Sequence, residues 1–157
     1  MPNPLTTPKA AALAGVLFAL LFGVAIVLLH GSMPDDGEDI TGPLSSELCS
    51  RITLAAHLMP FAAIAFLWFI AVVRDYLGRV EDRFYSTVFL ASGLLFLALM
   101  LVATAGAVGV VVASKGSDTE TGRTMMSFGA GFAASASKTF ALRMGAVFMM
   151  SLATIWL

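Results

Sequence analysis

Charge is scarce in this sequence. Nine lysines and arginines and ten aspartates and glutamates make up 12% of its 157 residues, while 59% are hydrophobic. A soluble domain of ordinary composition is about 25% charged, so too few charges remain here to solvate a globule. They are also bunched between apolar stretches. A formal net charge of -1 offers no clustered basic face, which removes the electrostatic basis for binding nucleic acid. The single cysteine, Cys49, excludes an internal disulfide and a multi-thiolate zinc set. No Gly-x-Ser-x-Gly, His-Glu-x-x-His, Walker or dinucleotide motif occurs, so no catalytic signature marks an enzyme. Nothing resembles a selectivity filter, and the apolar stretches lack the paired acids of proton-driven pumps. What is present is apolar sequence in long runs. The chain reads as all-α, a transmembrane helical bundle in a single domain.

A hydrocarbon core of about 30 Å takes about 20 residues of helix. Uninterrupted apolar runs predict spans over 10–29, 52–73 and 84–113. The third is longer than a perpendicular crossing needs, so it tilts or projects beyond the core. The stretch from Thr124 to Leu157 is apolar but carries Lys138 and Arg143. A charge at mid-bilayer costs about 2.5–3.5 kcal/mol on insertion scales. Both cations are therefore expected near an interface, with a fourth span over 139–157 and Arg143 snorkelling outward. Met125 to Ser137 then either extends that helix or lies in the interface, and the small-residue pattern favours extension.

An acidic outer loop is expected over 30–51, an inner loop over 74–83, and an outer loop with helix extension over 114–138. The first run exceeds the 7–15 residues of a signal-peptide core and no Ala-x-Ala site follows it, so it is expected to be retained. With the amino terminus inside, Lys9, Arg74, Arg79 and Arg83 lie inside and Arg51, Lys115, Arg123 and Lys138 outside. That tie is broken by the density of Arg74, Arg79 and Arg83 beside two spans, so the amino terminus is placed in the cytoplasm. The uncharged end at Trp156-Leu157 suggests the amino-terminal part of a longer protein.

Helices associate in lipid through small residues that let backbones approach. Ala11, Gly15, Ala19 and Gly23 recur at four-residue spacing, as do Gly129, Ala133, Ser137, Ala141 and Gly145. A second row, Ser127, Gly131 and Ser135, runs beside the latter. If the two long rows face each other, the first and fourth helices cross closely. Phe18, Phe22, Phe66, Trp68 and Phe69 would then face lipid or fill other gaps. Pro60 removes a backbone donor from the second helix, so a kink is expected there.

Candidate chemistry gathers at the outer side, where Glu47, Arg51, His57, Lys138 and Arg143 would form a polar site for a small anion or lipid headgroup. Ordinary interfacial ion pairing is the alternative. His57 is a hydrogen-bonded structural histidine or a proton-responsive group, since histidine titrates near neutral pH. His30 and His57 would allow one bis-histidine haem b, although no Cys-x-x-Cys-His motif accompanies them and no cofactor is predicted. Asp35, Asp36, Glu38 and Asp39 supply oxygen ligands at close spacing without an EF-hand pattern, as a solvated acidic loop does. No other metal set is expected. The inner connection from Arg74 to Arg83 is mixed in charge and reads as a solvated connector.

At Glu81-Asp82-Arg83-Phe84, and again from Phe140 to Met149 (FALRMGAVFM), the chain resembles uncharacterised multi-pass membrane proteins of high-GC, especially actinobacterial, bacteria. That resemblance implies a bacterial cytoplasmic membrane, and a chain that continues through a basic turn into further helices. It implies no substrate. Two functions are expected from the residues: a component for transport or sensing of a small solute or ion, using the outer polar group, or a structural or accessory subunit. The second would bind partner helices, in a homo-oligomer or with another membrane protein, through its small-residue rows.

Overall fold

The computed structural model describes residues 7–32, 43–77 and 83–155. Among them the chain is helical outside short connections, with no strand. The elements are α1 (Thr7–His30), α2 (Ser46–Leu77), α3 (Arg83–Ser114), α4 (Glu120–Ala134), a π-helical segment (Ser135–Ala141) and α5 (Leu142–Ile155). Long helices follow from the composition: away from water, a backbone must satisfy its own polar groups, and a helix does so within one segment. Three of them, over Ala12–His30, Ser46–Arg74 and Ser86–Ser114, are long and apolar enough to cross a membrane. α2 is helical on both sides of Pro60.

The expected fourth span over 139–157 is not among these three. Helix begins at Glu120 and continues through the π segment to Ile155, because Ala134, Ser135 and Leu142 all keep right-handed helical backbone. Met125 to Ser137 therefore continues the helix.

Consecutive helices pack as neighbours: α1 on α2, α2 on α3, and α3 on α4, the π segment and α5. The expected crossing of the first and fourth helices is not found, since α1 makes no extended contact with α4 or α5. The reason lies in the turn after Ser114. Thr119, in extended backbone (φ -97, ψ 149), accepts the Gly122 N–H on its hydroxyl at 3.0 Å and starts α4 directly alongside α3. A Cβ at Gly122 would overlap the Gly116 carbonyl, so the turn closes only around glycine.

The row from Gly129 to Gly145 consequently faces α3. A Cβ at Gly129 would stand 2.9 Å from Val110 Cγ2, one at Gly106 would stand 3.3 Å from the Ala133 Cβ, and one at Gly145 would stand 3.2 Å from the Phe96 ring. Ala141 is fully buried beside Met100. In an α-helix a strict four-residue row drifts about 40° around the axis per step. The π segment turns less per residue, which brings the row back and keeps both of its ends on α3.

On α1, Gly15 lies under the Phe69 ring, Ala19 is exposed and Gly23 borders open space, while Ala11 lies outside the residues whose side chains are described. α1 instead docks through Ala14, Phe18, Phe22 and Ala25. Phe66 is 2% exposed and meets Phe18, Phe96 and Phe148 at ring separations of 4.6, 6.0 and 5.4 Å. Of the two expectations for these phenylalanines, facing lipid or filling gaps, the second holds: their rings fill the space between helices that small residues do not close. Trp68, at 70% exposed, does face outward.

Candidate functional site: the outward face of the fourth helix

Two core clusters set the vertical register of the bundle. One joins Ala25, Ala55, Met59, Met100 and Ala141; the other joins Phe66, Ile70, Phe89, Leu97 and Phe148, with Phe18 packed against it. Met100 is the middle residue of the Ser86–Ser114 stretch, fourteen residues from each end. Met59 stands close to the middle of Ser46–Arg74. Ala141, in contact at that level, marks the same height on the fourth helix. Arg143 follows it by two residues and Lys138 precedes it by three, so both stand within about 5 Å of that level along the axis at 1.5 Å per residue.

Both cations are exposed. The fourth helix packs chiefly on α3, with Ala141 and Phe148 also reaching the α2 side chains, and its opposite side is open. On that side Thr124, Ser127, Gly131, Ser135 and Lys138 are all exposed and recur at spacings of three and four, the pattern of a single helix face. A Cβ at Gly131 would meet nothing within 4 Å. Large apolar side chains flank this polar seam: Met125 at 60%, Phe128 at 73% and Leu142 at 68% exposed. The Phe128 and Phe132 rings stack along its edge at 6.2 Å. The short row Ser127, Gly131 and Ser135 was visible in the sequence. Its continuation to Thr124 and Lys138 was not recognised, although the three- and four-residue spacing carried the signal.

The π segment shapes this face at its centre. Wide turns leave carbonyls without their usual α-helical donors, and Ser137 answers that need by donating its hydroxyl to the Ala133 carbonyl at 2.7 Å and to that of Ala134 at 3.3 Å. Short π segments inside α-helices recur at functional positions. Here the segment holds Lys138 outward while Ala136 and Ala141 stay buried.

The expected outer polar site is not assembled as one cluster. Glu47 and Arg51 form an ion pair at 2.7 Å on one exposed face of α2, a kind of contact that contributes about 0–1 kcal/mol. Arg51 also reaches over the end of α1, its Nη1 4.0 Å from where a Gly31 Cβ would stand. His57, two turns further along α2, is exposed, and its Nδ1–H donates to the Thr53 carbonyl at 2.7 Å. Lys138 and Arg143 belong to the fourth helix, whose backbone packs on α3 and which meets α2 through buried side chains such as Phe148 on Phe66. Arg143 also stands lower than Arg51 by about ten residues' rise and Lys138 by about five, because Met59 and Ala141 share a level.

His30 closes α1 near the Arg51 side chain, and His57 lies about 9 Å beyond Arg51 along α2. Among the described residues no group of three or more His, Cys, Asp or Glu could hold a metal ion. Asp35, Asp36, Glu38 and Asp39 lie outside the described residues, as do Arg79, Glu81 and Asp82.

The interior offers little polar lining. The buried Ser32, Ser92, Thr104, Ser114 and Ser151 each donate to a carbonyl of their own helix, at 2.6 to 2.8 Å. Comparison with family models, with curated proteins and with solved structures returns no match for this chain.

Proposed function

We propose that the chain is a four-span subunit of a bacterial cytoplasmic membrane, with its amino terminus in the cytoplasm, and that it works as an accessory subunit binding a partner membrane protein through the outward face of its fourth helix. The observation that carries this reading is the height of Arg143 and Lys138. Both are exposed at the level where Met59 and Met100 mark the middle of two long apolar helices. Facing lipid there, each charge would cost about 2.5–3.5 kcal/mol or more. The hydrocarbon half-thickness is about 15 Å, further than either side chain reaches by snorkelling. Protein laid over this face removes the cost. Its central Ser127, Gly131 and Ser135 admit close backbone approach, as helix association in lipid requires.

The transport or sensing reading would need a polar path. The polar groups buried between the helices are committed to their own backbones, and aromatic rings occupy the centre of the bundle. A partner-binding face accounts for the exposed cations without such a path.

Photocrosslinking in native membranes tests the proposal. A photoreactive amino acid at Gly131 or Ser135 is expected to give one discrete adduct with another protein, and one at Leu17 or Leu20 of α1 is expected to give lipid adducts. Lipid adducts alone from both faces would overturn it.

A further inference from the structure

We infer that the partner presents a transmembrane helix carrying an aspartate or glutamate near the middle of its span, and that this carboxylate pairs with Arg143, with Lys138 beside it. This inference rests on the partner-binding reading above and adds the chemistry of the occupant. Charge complementarity carries it. Arg143 is exposed and has no hydrogen-bond or ion-pair partner among the described residues. A guanidinium keeps its charge in any protein environment and presents a planar fork that matches a carboxylate in two parallel hydrogen bonds.

The chain cannot answer this charge from its own apolar stretches. All ten of its acids fall at positions 35–47, 75–82 and 118–120, outside the apolar runs 52–73 and 84–113 and outside 121–157. A second copy laid on the same face would bring cation against cation. Neutral polar helices could satisfy hydrogen bonds but would leave the Arg143 charge uncompensated in hydrocarbon. A carboxylate at mid-span resolves the problem for both proteins, because an acid alone in lipid is itself expensive and takes up a proton instead. Pairing with Arg143 favours its ionised form, so association releases that proton.

The expected partner helix is thus complementary in two respects. Opposite Ser127, Gly131 and Ser135 it can approach closely, and about two turns further along it places its acid between Lys138 and Arg143. Leu142, 68% exposed, stands next to Arg143 beside this contact.

The test uses the full chain in phosphatidylcholine vesicles, with energy transfer to a labelled polyleucine transmembrane peptide that carries Glu, Gln or Leu at its centre. The Glu peptide is expected to associate about tenfold more tightly than the Gln or Leu peptides, the scale of a polar interhelical contact in lipid. Its association is expected to strengthen from pH 6 to pH 8 while that of the Gln peptide stays level. Arg143→Leu abolishes the preference and Arg143→Lys retains part of it. Circular dichroism and detergent-phase size of each variant confirm that the fold is kept; if Arg143→Leu fails to fold, the peptide comparison and its pH dependence still decide on the unaltered chain. Equal association of all three peptides would overturn the carboxylate inference and leave the partner-binding face standing. Absence of association by any peptide, or energy transfer only between copies of the chain, would also overturn it. Loss of the protein photoadduct described above would instead remove the reading beneath it.

Discussion

Phe66 and Trp68 are two residues apart on α2 and differ completely in surroundings, so replacing each by alanine separates the packing account from composition. Phe66 is 2% exposed and touches rings from α1, α3 and α5; Trp68 is 70% exposed. In a water-soluble core a phenylalanine-to-alanine change costs about 3–5 kcal/mol, part of it the transfer of apolar atoms out of water. In lipid that part falls away, because the tails are as apolar as the core. The cavity term remains. About 100 Å3 of lost side chain at about 24 cal/mol per Å3 amounts to about 2.4 kcal/mol. Phe66→Ala should therefore lower stability by about 2 kcal/mol, and Trp68→Ala by less than about 0.5 kcal/mol as for an outward-facing position. Reversible unfolding in mixed micelles of mild detergent and dodecyl sulfate, followed by far-ultraviolet circular dichroism, measures both. Trp68→Ala equal to or more damaging than Phe66→Ala would refute the assignment of inside and outside on α2.

Gly129→Leu should push α3 and α4 apart, since even a Cβ would stand 2.9 Å from Val110 Cγ2; a stability loss of about 1–3 kcal/mol is expected in the same titration. Gly131→Leu, where a Cβ meets nothing within 4 Å, should leave that titration unchanged while abolishing the photoadduct from Ser135. Thr119→Ala removes the hydroxyl that accepts the Gly122 N–H, at a cost of about 1 kcal/mol, and should raise amide exchange selectively in the first turn of α4.

Helices α1, α2 and α3 were legible because charge and polar residues bracket their apolar runs, and a run of the right length has few alternatives to a helix. The fourth was harder to read. The rule that moves every cation towards an interface holds for a helix facing lipid, and it set the expected span at Thr139, inside a longer helix. Glu120 and Thr119 carry the local signal of the true start, an extended capping residue followed by an acid in the first turn. Pairing was harder to read than position. Two rows of small residues looked complementary, yet the tight turn around Gly116 and Gly122 commits α4 to α3, and a ring cluster commits Phe18 and Phe22 to α2 and α3. The outward seam needed the structure because periodicity alone does not say which of two adjacent polar rows lies against a neighbour. The π segment has no sequence signature that the spacing of apolar residues could reveal.

Everything proposed for the fourth helix depends on the depth of its centre. Nitroxide labels at Phe140, Ile64 and Thr124, each introduced as a single cysteine in a Cys49→Ser background in lipid vesicles, measure that depth through relative accessibility to oxygen and to a water-soluble nickel chelate. Phe140 is 53% exposed beside Ala141, and Ile64 is 53% exposed between the Met59 and Phe66 levels, so both labels fit without disturbing the core. The account predicts that Phe140 reports a depth near the bilayer centre, that Ile64, about 7 Å past the Met59 level, also lies in the hydrocarbon, and that Thr124 is close to the water. A Phe140 label at the depth of Thr124, with Ile64 still deep, would contradict it.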